Sequence, residues 1–91
     1  MIQSWGNADA KEVFEGRMPR TFPQHAFGRA RRVLAQLNAA LSIGDLRSPP
    51  GNQLEKLGGT ETWSVRVNRQ YRVTFKWGPE GPIDVWLGDY H

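Results

Sequence analysis

The sequence predicts an α+β fold, with two N-terminal helices packed on one face of a mainly antiparallel β-sheet. Two observations carry that expectation. From Trp63 onward the apolar residues alternate, as Trp63, Val65, Val67 and then Tyr71, Val73, Phe75, Trp77, the period-2 signature of half-buried strands. Earlier in the chain Phe27, Ala30, Leu34, Leu37 and Leu41 recur at the spacing of one helix face. Helices followed by a run of strands form one helical layer on one face of a sheet and leave the opposite face for binding.

Taken in order, Ile2 to Trp5 is a short strand candidate, and Asn7 or Asp9 can cap a helix through Lys11, Val13, Phe14 and Glu15 that Gly16 ends. Arg17 to Phe22 is a basic connection. Pro23 suits the first turn of the second helix, whose Arg29, Arg31, Arg32 and Gln36 lie mostly away from the apolar face. Those arginines serve either as a solvated helix face or as contacts to a phosphate backbone or an acidic partner. Ser48-Pro49-Pro50-Gly51 breaks the helical pattern, and Gln53 to Leu57 is another strand candidate before the turn signal Gly58-Gly59.

The strand register follows from keeping the apolar set on one face. With Asn68, Arg69 and Gln70 as a three-residue loop, Val67 opposes Tyr71, Val65 opposes Val73 and Trp63 opposes Phe75, whereas a two-residue loop sets Val67 against Arg72. The favoured register places Arg66 across from Arg72, a like-charge pair that costs tenths of a kcal/mol and points to an anion nearby. A ligand is one such anion; Asp84 or Glu61 is the alternative, as is simple exposure to water. Continued across Gly78-Pro79-Glu80-Gly81-Pro82, the register pairs Trp77 with Ile83, Phe75 with Val85 and Val73 with Leu87. Gly88 then falls opposite Arg72 and leaves room over it, and Tyr90 follows on the same face beside Gln70, flanked by Asp89 and His91.

Ninety-one residues, 38% of them hydrophobic and four of them tryptophan, suit one domain spanning 1–91 around one core. The absence of cysteine leaves no disulfide framework or thiolate site, and two histidines, His25 and His91, are too few for a dedicated zinc cage, so metal-independent chemistry is expected. No apolar run approaches the roughly 18 residues of a membrane span, and a cytoplasmic protein with no membrane partner is the simplest expectation. Twelve basic against nine acidic residues give a net charge of +3 and favour a polyanionic partner, with ribosomal RNA, mRNA and DNA all open.

Several stretches, in order, resemble one family: Ile2-Gln3-Ser4-Trp5, Phe14-Glu15-Gly16-Arg17, Phe22-Pro23, Asp45 through Glu55, Trp63 through Asn68, Gln70-Tyr71-Arg72-Val73, and the ending Asp89-Tyr90-His91. The chain resembles HigB-type toxins of the RelE/ParE superfamily, the plasmid-maintenance killer proteins, over essentially its whole length. The resemblance implies the toxin of a type II toxin-antitoxin system that cleaves mRNA in the ribosomal A site, on the small subunit of the 70S ribosome, without metal or cofactor. It implies as partner a helix-turn-helix antitoxin of the HigA type, which neutralises the toxin and represses the operon with it, so that operator DNA is reached only through the complex. One departure stands out: after the leucine matching Leu57 the family commonly continues Lys-Gly-Asp, where this chain has Gly58-Gly59-Thr60-Glu61-Thr62. The task of that lysine at the scissile phosphate then falls to Lys56, to Arg66 and Arg72, or to no residue.

Ribonucleases of this kind use the substrate's own 2′-hydroxyl as nucleophile, so the protein must take that proton, stabilise the charged phosphorane and protonate the leaving 5′-oxygen. Arg72, helped by Arg66, suits the phosphate because a guanidinium stays charged and offers paired donors. His91 is the favoured general acid or base, because the unperturbed pKa of histidine as a residue type, near 6.5, suits proton transfer at cytoplasmic pH, and Tyr90 is the alternative. Asp89 orients His91 or contacts a base, while Gln70 and Asn68 at the turn contact a base edge or sugar. Trp86 stacks on a base or packs at a sheet edge. Two other classes stay open: a gyrase-binding toxin of the ParE branch, which needs no acid-base residue, and a non-catalytic binder of ribosome, RNA or antitoxin.

Overall fold

The computed structural model describes residues 1–89, and the Tyr90 and His91 assignments lie outside the described residues. Along the chain run α1 (Ala8–Phe14), α2 (Gln24–Ala39), two short 3-10 turns (Ile43–Arg47 and Pro50–Asn52), β1 (Glu55–Lys56), β2 (Trp63–Arg66), β3 (Tyr71–Gly78) and β4 (Gly81–Asp89). The strands form an antiparallel sheet in the order β1-β2-β3-β4. This α+β arrangement is compatible with a RelE-like fold.

Asn7, one of the two anticipated caps, starts α1: its side-chain oxygen accepts from the Ala10 amide at 3.1 Å. The same amide group clamps the far end of the chain, donating to the Leu87 carbonyl at 2.7 Å while accepting from the Leu87 N–H at 3.2 Å. Gly16 closes the helix at φ +89°, a left-handed conformation that costs glycine little. α2 buries Ala26, Ala30, Val33, Leu34 and Leu37. Leu41, expected on that face, lies beyond the helix end at Ala39 and is 91% exposed; Ala26 and Val33 fill the face instead.

The core joins both helices to the apolar face of the sheet. Val13, Leu34 and Leu37 belong to one buried cluster with Val65, Val73, Phe75, Val85 and Leu87. Phe75 is fully buried at its centre, and burying a side chain of that size contributes about 1.5–3 kcal/mol.

The β2–β3 hairpin has the register the alternation demanded: Trp63 opposes Phe75, Val65 opposes Val73 and Arg66 opposes Arg72. The Val67 amide bonds the Tyr71 carbonyl at 3.0 Å across the Asn68–Gln70 loop. In β3–β4 the expected pairs Val73 with Leu87 and Arg72 with Gly88 are present, but the pairing of Trp77 with Ile83 is not. A bulge between Thr74 and Lys76 shifts the ladder, so that Lys76 opposes Ile83 and Trp77 opposes Pro82, and the expected five-residue loop tightens to a turn at Pro79-Glu80. The extra residue is accommodated at Asp84, at φ +53°, whose N–H donates to the Ser4 hydroxyl at 2.9 Å.

The N-terminal strand candidate is reduced to a single parallel bridge between Trp5 and Val85, reinforced by Gln3 N–H to the Pro82 carbonyl at 2.8 Å and Val85 N–H to the Ser4 carbonyl at 3.1 Å. The candidate over Gln53–Leu57 shortens to Glu55–Lys56, because Gln53 takes a left-handed conformation at φ 44° that ends the preceding 3-10 turn. Among the described residues no helix is long and apolar enough to cross a membrane.

Candidate functional site

On the sheet face away from the helices, β pairing assembles two rows of side chains. Glu55, Ser64, Thr74 and Trp86 form one row; Arg66, Arg72 and Gly88 form the next. The Val67 N–H donates to the Tyr71 carbonyl, so Arg66 and Arg72, one step further along the ladder, form a non-hydrogen-bonded pair, the kind whose Cα atoms approach to about 4.5 Å. Two cations that close must diverge, and they do. Arg72 turns along the sheet, its Nη1 donating to the Ser64 hydroxyl at 2.8 Å and lying 3.6 Å from the Glu55 carboxylate. Arg66 turns toward the loop, its Nε donating to the Asn68 carbonyl at 3.1 Å.

Among the described residues the anion beside Arg72 is therefore Glu55, not the anticipated Asp84 or Glu61. Its carboxylate is 56% exposed, so an incoming phosphate can compete with it, whereas the Arg72 side chain, 20% exposed, is held in place. This face is less open than its polar sequence suggested. Ser64 is fully buried and Thr74 nearly so. The room over Gly88 is filled by the Trp86 indole: a Cβ on Gly88 would lie 2.5 Å from Trp86 Cη2. Trp86 thus lies along the strand beside Arg72, where its ring can serve as a floor for a base.

The loop end of the sheet holds a second group. Asn68 Oδ1 accepts from the Gln70 and Tyr71 amides at 2.9 and 2.7 Å, which fixes the turn. Gln70 Nε2 donates to the Asp89 carboxylate at 2.8 Å. Asp89 opposes Tyr71 and so leaves β4 on the face opposite Arg72. A groove of about 570 Å³ opens there, lined by Asn68, Arg69, Gln70 and His25 of α2. A substrate touching both Arg72 and Asp89 must therefore cross the loop end of the sheet.

Lys56 is not brought to this site. It opposes Trp63, on the other face from Glu55 and Arg72, and its ammonium lies 3.9 Å from Glu61. Gly58 sits in the adjoining turn, in a cleft of about 270 Å³ lined by residues 56–61. Among the described residues no three His, Cys, Asp or Glu side chains stand close enough to hold a metal ion.

This arrangement of arginines over a four-stranded sheet backed by two helices accompanies a family match over residues 4–91, to the RelE-like toxin of the type II toxin-antitoxin system HigB. The chain belongs to the HigB-like toxin family. It is 45% identical over 70 residues to Toxin HigB-1 of Vibrio cholerae serotype O1, covering 75% of this chain and 74% of that protein. It is 42% identical over 57 residues to an uncharacterized protein of Haemophilus influenzae, covering 60% of this chain and 56% of that one. Membership makes this HigB-like protein the toxin of a type II toxin-antitoxin pair, with an antitoxin as partner.

Two residues of the candidate site escaped the sequence reading. Glu55 joins it only through the β1–β2 pairing, for which two residues of β1 give no periodic signal. His25 reaches the loop groove from the start of α2, and its one available signal was its place two residues after Pro23, in a first helical turn without acidic residues.

Proposed function

We propose that this HigB-like toxin is a ribosome-dependent mRNA endoribonuclease that cuts the message in the A site of the 70S ribosome and thereby arrests translation and growth. A HigA-type helix-turn-helix antitoxin neutralises it, and the pair together bind operator DNA. The observation that carries this reading is the Arg66–Arg72 pair: two guanidinium groups on adjacent strands, accompanied by one exposed carboxylate, Glu55. A phosphate sharing that position relieves the mutual repulsion of the pair and gains charge-assisted hydrogen bonds.

In the mechanism, Arg72 holds a non-bridging oxygen of the scissile phosphate and Arg66 assists as negative charge builds on the phosphorane. The 2′-oxygen of the preceding ribose attacks phosphorus, its proton passing to a base, and the P–O5′ bond breaks as an acid protonates the leaving oxygen. His91 supplies one of these proton transfers, with Tyr90 as the alternative, and Asp89 orients the histidine or contacts a base. Gln70 and Asn68 approach a base or sugar at the loop, and Trp86 stacks on a base.

Primer extension on a defined message in a cell-free bacterial translation extract tests the reading. The toxin should generate cuts only on translated message, and Arg72→Ala should abolish them, as should the joint replacement of His91 and Tyr90 by alanine. Full cutting by Arg72→Ala would remove the arginine from the phosphate; full cutting by the joint variant would remove the terminal pair from proton transfer. The position of Lys56 favours a second reading, a toxin that occupies the ribosome but cuts weakly, since the register sets this lysine on the face opposite Arg72. Co-sedimentation with ribosomes without cut message would support it.

A further inference from the structure

The chain's acidic residues are unevenly placed: none falls between Arg17 and Gly44, a stretch that carries Arg17, Arg20, Arg29, Arg31 and Arg32. Arg17 is paired with Glu15, but no carboxylate of the described residues lies within ion-pair distance of Arg29 or Arg32. These two sit three apart on α2, hence on neighbouring turns of one face. Together they rim a cleft of about 140 Å³ whose other walls are Val33, Gln36, Pro49 and Asn52.

The floor of that cleft is rigid. Asn52 is 1% exposed, and its Nδ2 donates to Gln36 Oε1 at 3.0 Å and to the Leu46 and Ser48 carbonyls at 3.1 and 3.2 Å. Gln36 Nε2 in turn donates to the Ser48 carbonyl at 2.6 Å. The cleft also connects to the arginine pair of the sheet. β1 covers β2 only at Trp63 and Ser64, so the Arg66 carbonyl points to an open strand edge, where Arg29 Nη2 meets it at 3.5 Å.

We propose that Arg29 and Arg32 form a second anion station, which holds a phosphate of the same RNA strand, flanking the one at Arg72. The proposal rests on the ribonuclease reading and extends its substrate path from the sheet, around the open edge of β2, to α2. A line of arginines following one edge matches the repeating charge of a nucleic-acid backbone, which is why RNA is favoured here over an acidic segment of a protein.

The test is the affinity of labelled toxin for 70S ribosomes programmed with a message whose A-site codon is 2′-deoxy and so cannot be cut, measured across a range of salt. Counterion release contributes a slope of about 0.7 per phosphate contact on single strands. Replacing both Arg29 and Arg32 by alanine should lower the slope by about 0.7 and the affinity by about 5-fold at 0.1 M salt. Replacing both by lysine should preserve most of the slope, and Arg31→Ala, which touches the neighbouring groove that Arg31 and Arg32 share with Phe14 but not the cleft at Asn52, should leave it unchanged. Wild-type slope and affinity in the alanine variant would overturn the proposal. So would a loss confined to antitoxin binding, which would make this surface a protein interface, or failure of the wild type to bind programmed ribosomes. Cutting of the ordinary message is scored separately: salt-dependent binding through Arg29 and Arg32 without cutting defeats the nuclease reading and leaves the station standing.

Discussion

Replacing Asn7 with alanine should destabilise the toxin far more than its half-buried position near the start of the chain suggests. The side chain makes three hydrogen bonds, one as helix cap and two to the backbone of Leu87. Losing the cap costs about 1 kcal/mol. Leaving the Leu87 N–H and carbonyl without partners costs about 1 kcal/mol or more, at the lower end for groups that water can partly reach. The sum, roughly 2–4 kcal/mol, is a large share of the 5–15 kcal/mol typical of a native protein. In a domain of this length it corresponds to a fall in Tm of about 10–25 °C. Asn7→Asp separates the contributions, because a carboxylate keeps the cap and the bond from the Leu87 N–H but loses the donor to the Leu87 carbonyl. Thermal and urea unfolding followed by circular dichroism should rank wild type above Asn7→Asp above Asn7→Ala. A loss below about 0.5 kcal/mol for Asn7→Ala, or equal stability of the two variants, would refute the clamp.

Two further outcomes are expected. Glu55→Gln removes the carboxylate 3.6 Å from Arg72; an exposed pair of this kind is worth about 0.2–1 kcal/mol, so stability should fall by no more than that while affinity for an RNA phosphate rises about 2–5-fold, and unchanged or weaker RNA binding would show that Glu55 does not compete for the arginine. Gly88→Ala drives a methyl into the Trp86 ring and should cost about 1–3 kcal/mol, with a change in tryptophan emission that disappears when Trp86→Phe is the background; a neutral effect would mean that the ring does not lie over Gly88.

What the sequence disclosed and what it withheld separate along physical lines. The hairpin of β2 and β3 was legible because both strands alternate cleanly and a slip of one residue would have buried Arg72. The registers at Val73–Leu87 and Arg72–Gly88 were legible for the same reason. The bulge at Asp84 was not, because its cause is tertiary: the Ser4 hydroxyl, 80 residues away in sequence, accepts the Asp84 N–H. Leu41 was misplaced because helical periodicity carries no mark of the end of α2 at Ala39, where Ala40, Leu41 and Ser42 follow with neither glycine nor proline to stop it. At the candidate site, Arg66 and Arg72 announced themselves by sharing a face, whereas Glu55 and His25 arrive from elements whose position depends on packing. Lys56 was equally ambiguous, since its face follows from pairing with Trp63 and not from any pattern within two residues of strand.

The parallel contact of Gln3–Gly6 with β4 imposes an order on events in the cell. The backbone of Gln3–Gly6 bonds to Pro82 and Val85, which are made some eighty residues later, and α1 is clamped by Asn7 to the same late strand. Contacts so distant in sequence close slowly and close last. A nascent toxin therefore carries Arg66 and Arg72 before it carries the strand that sets Gly88 and Trp86 beside them. On this order the sheet face that carries Arg66 and Arg72 takes its final form only once β4 has paired with β3, and any partner that recognises Gly88 and Trp86 beside them meets that face no earlier.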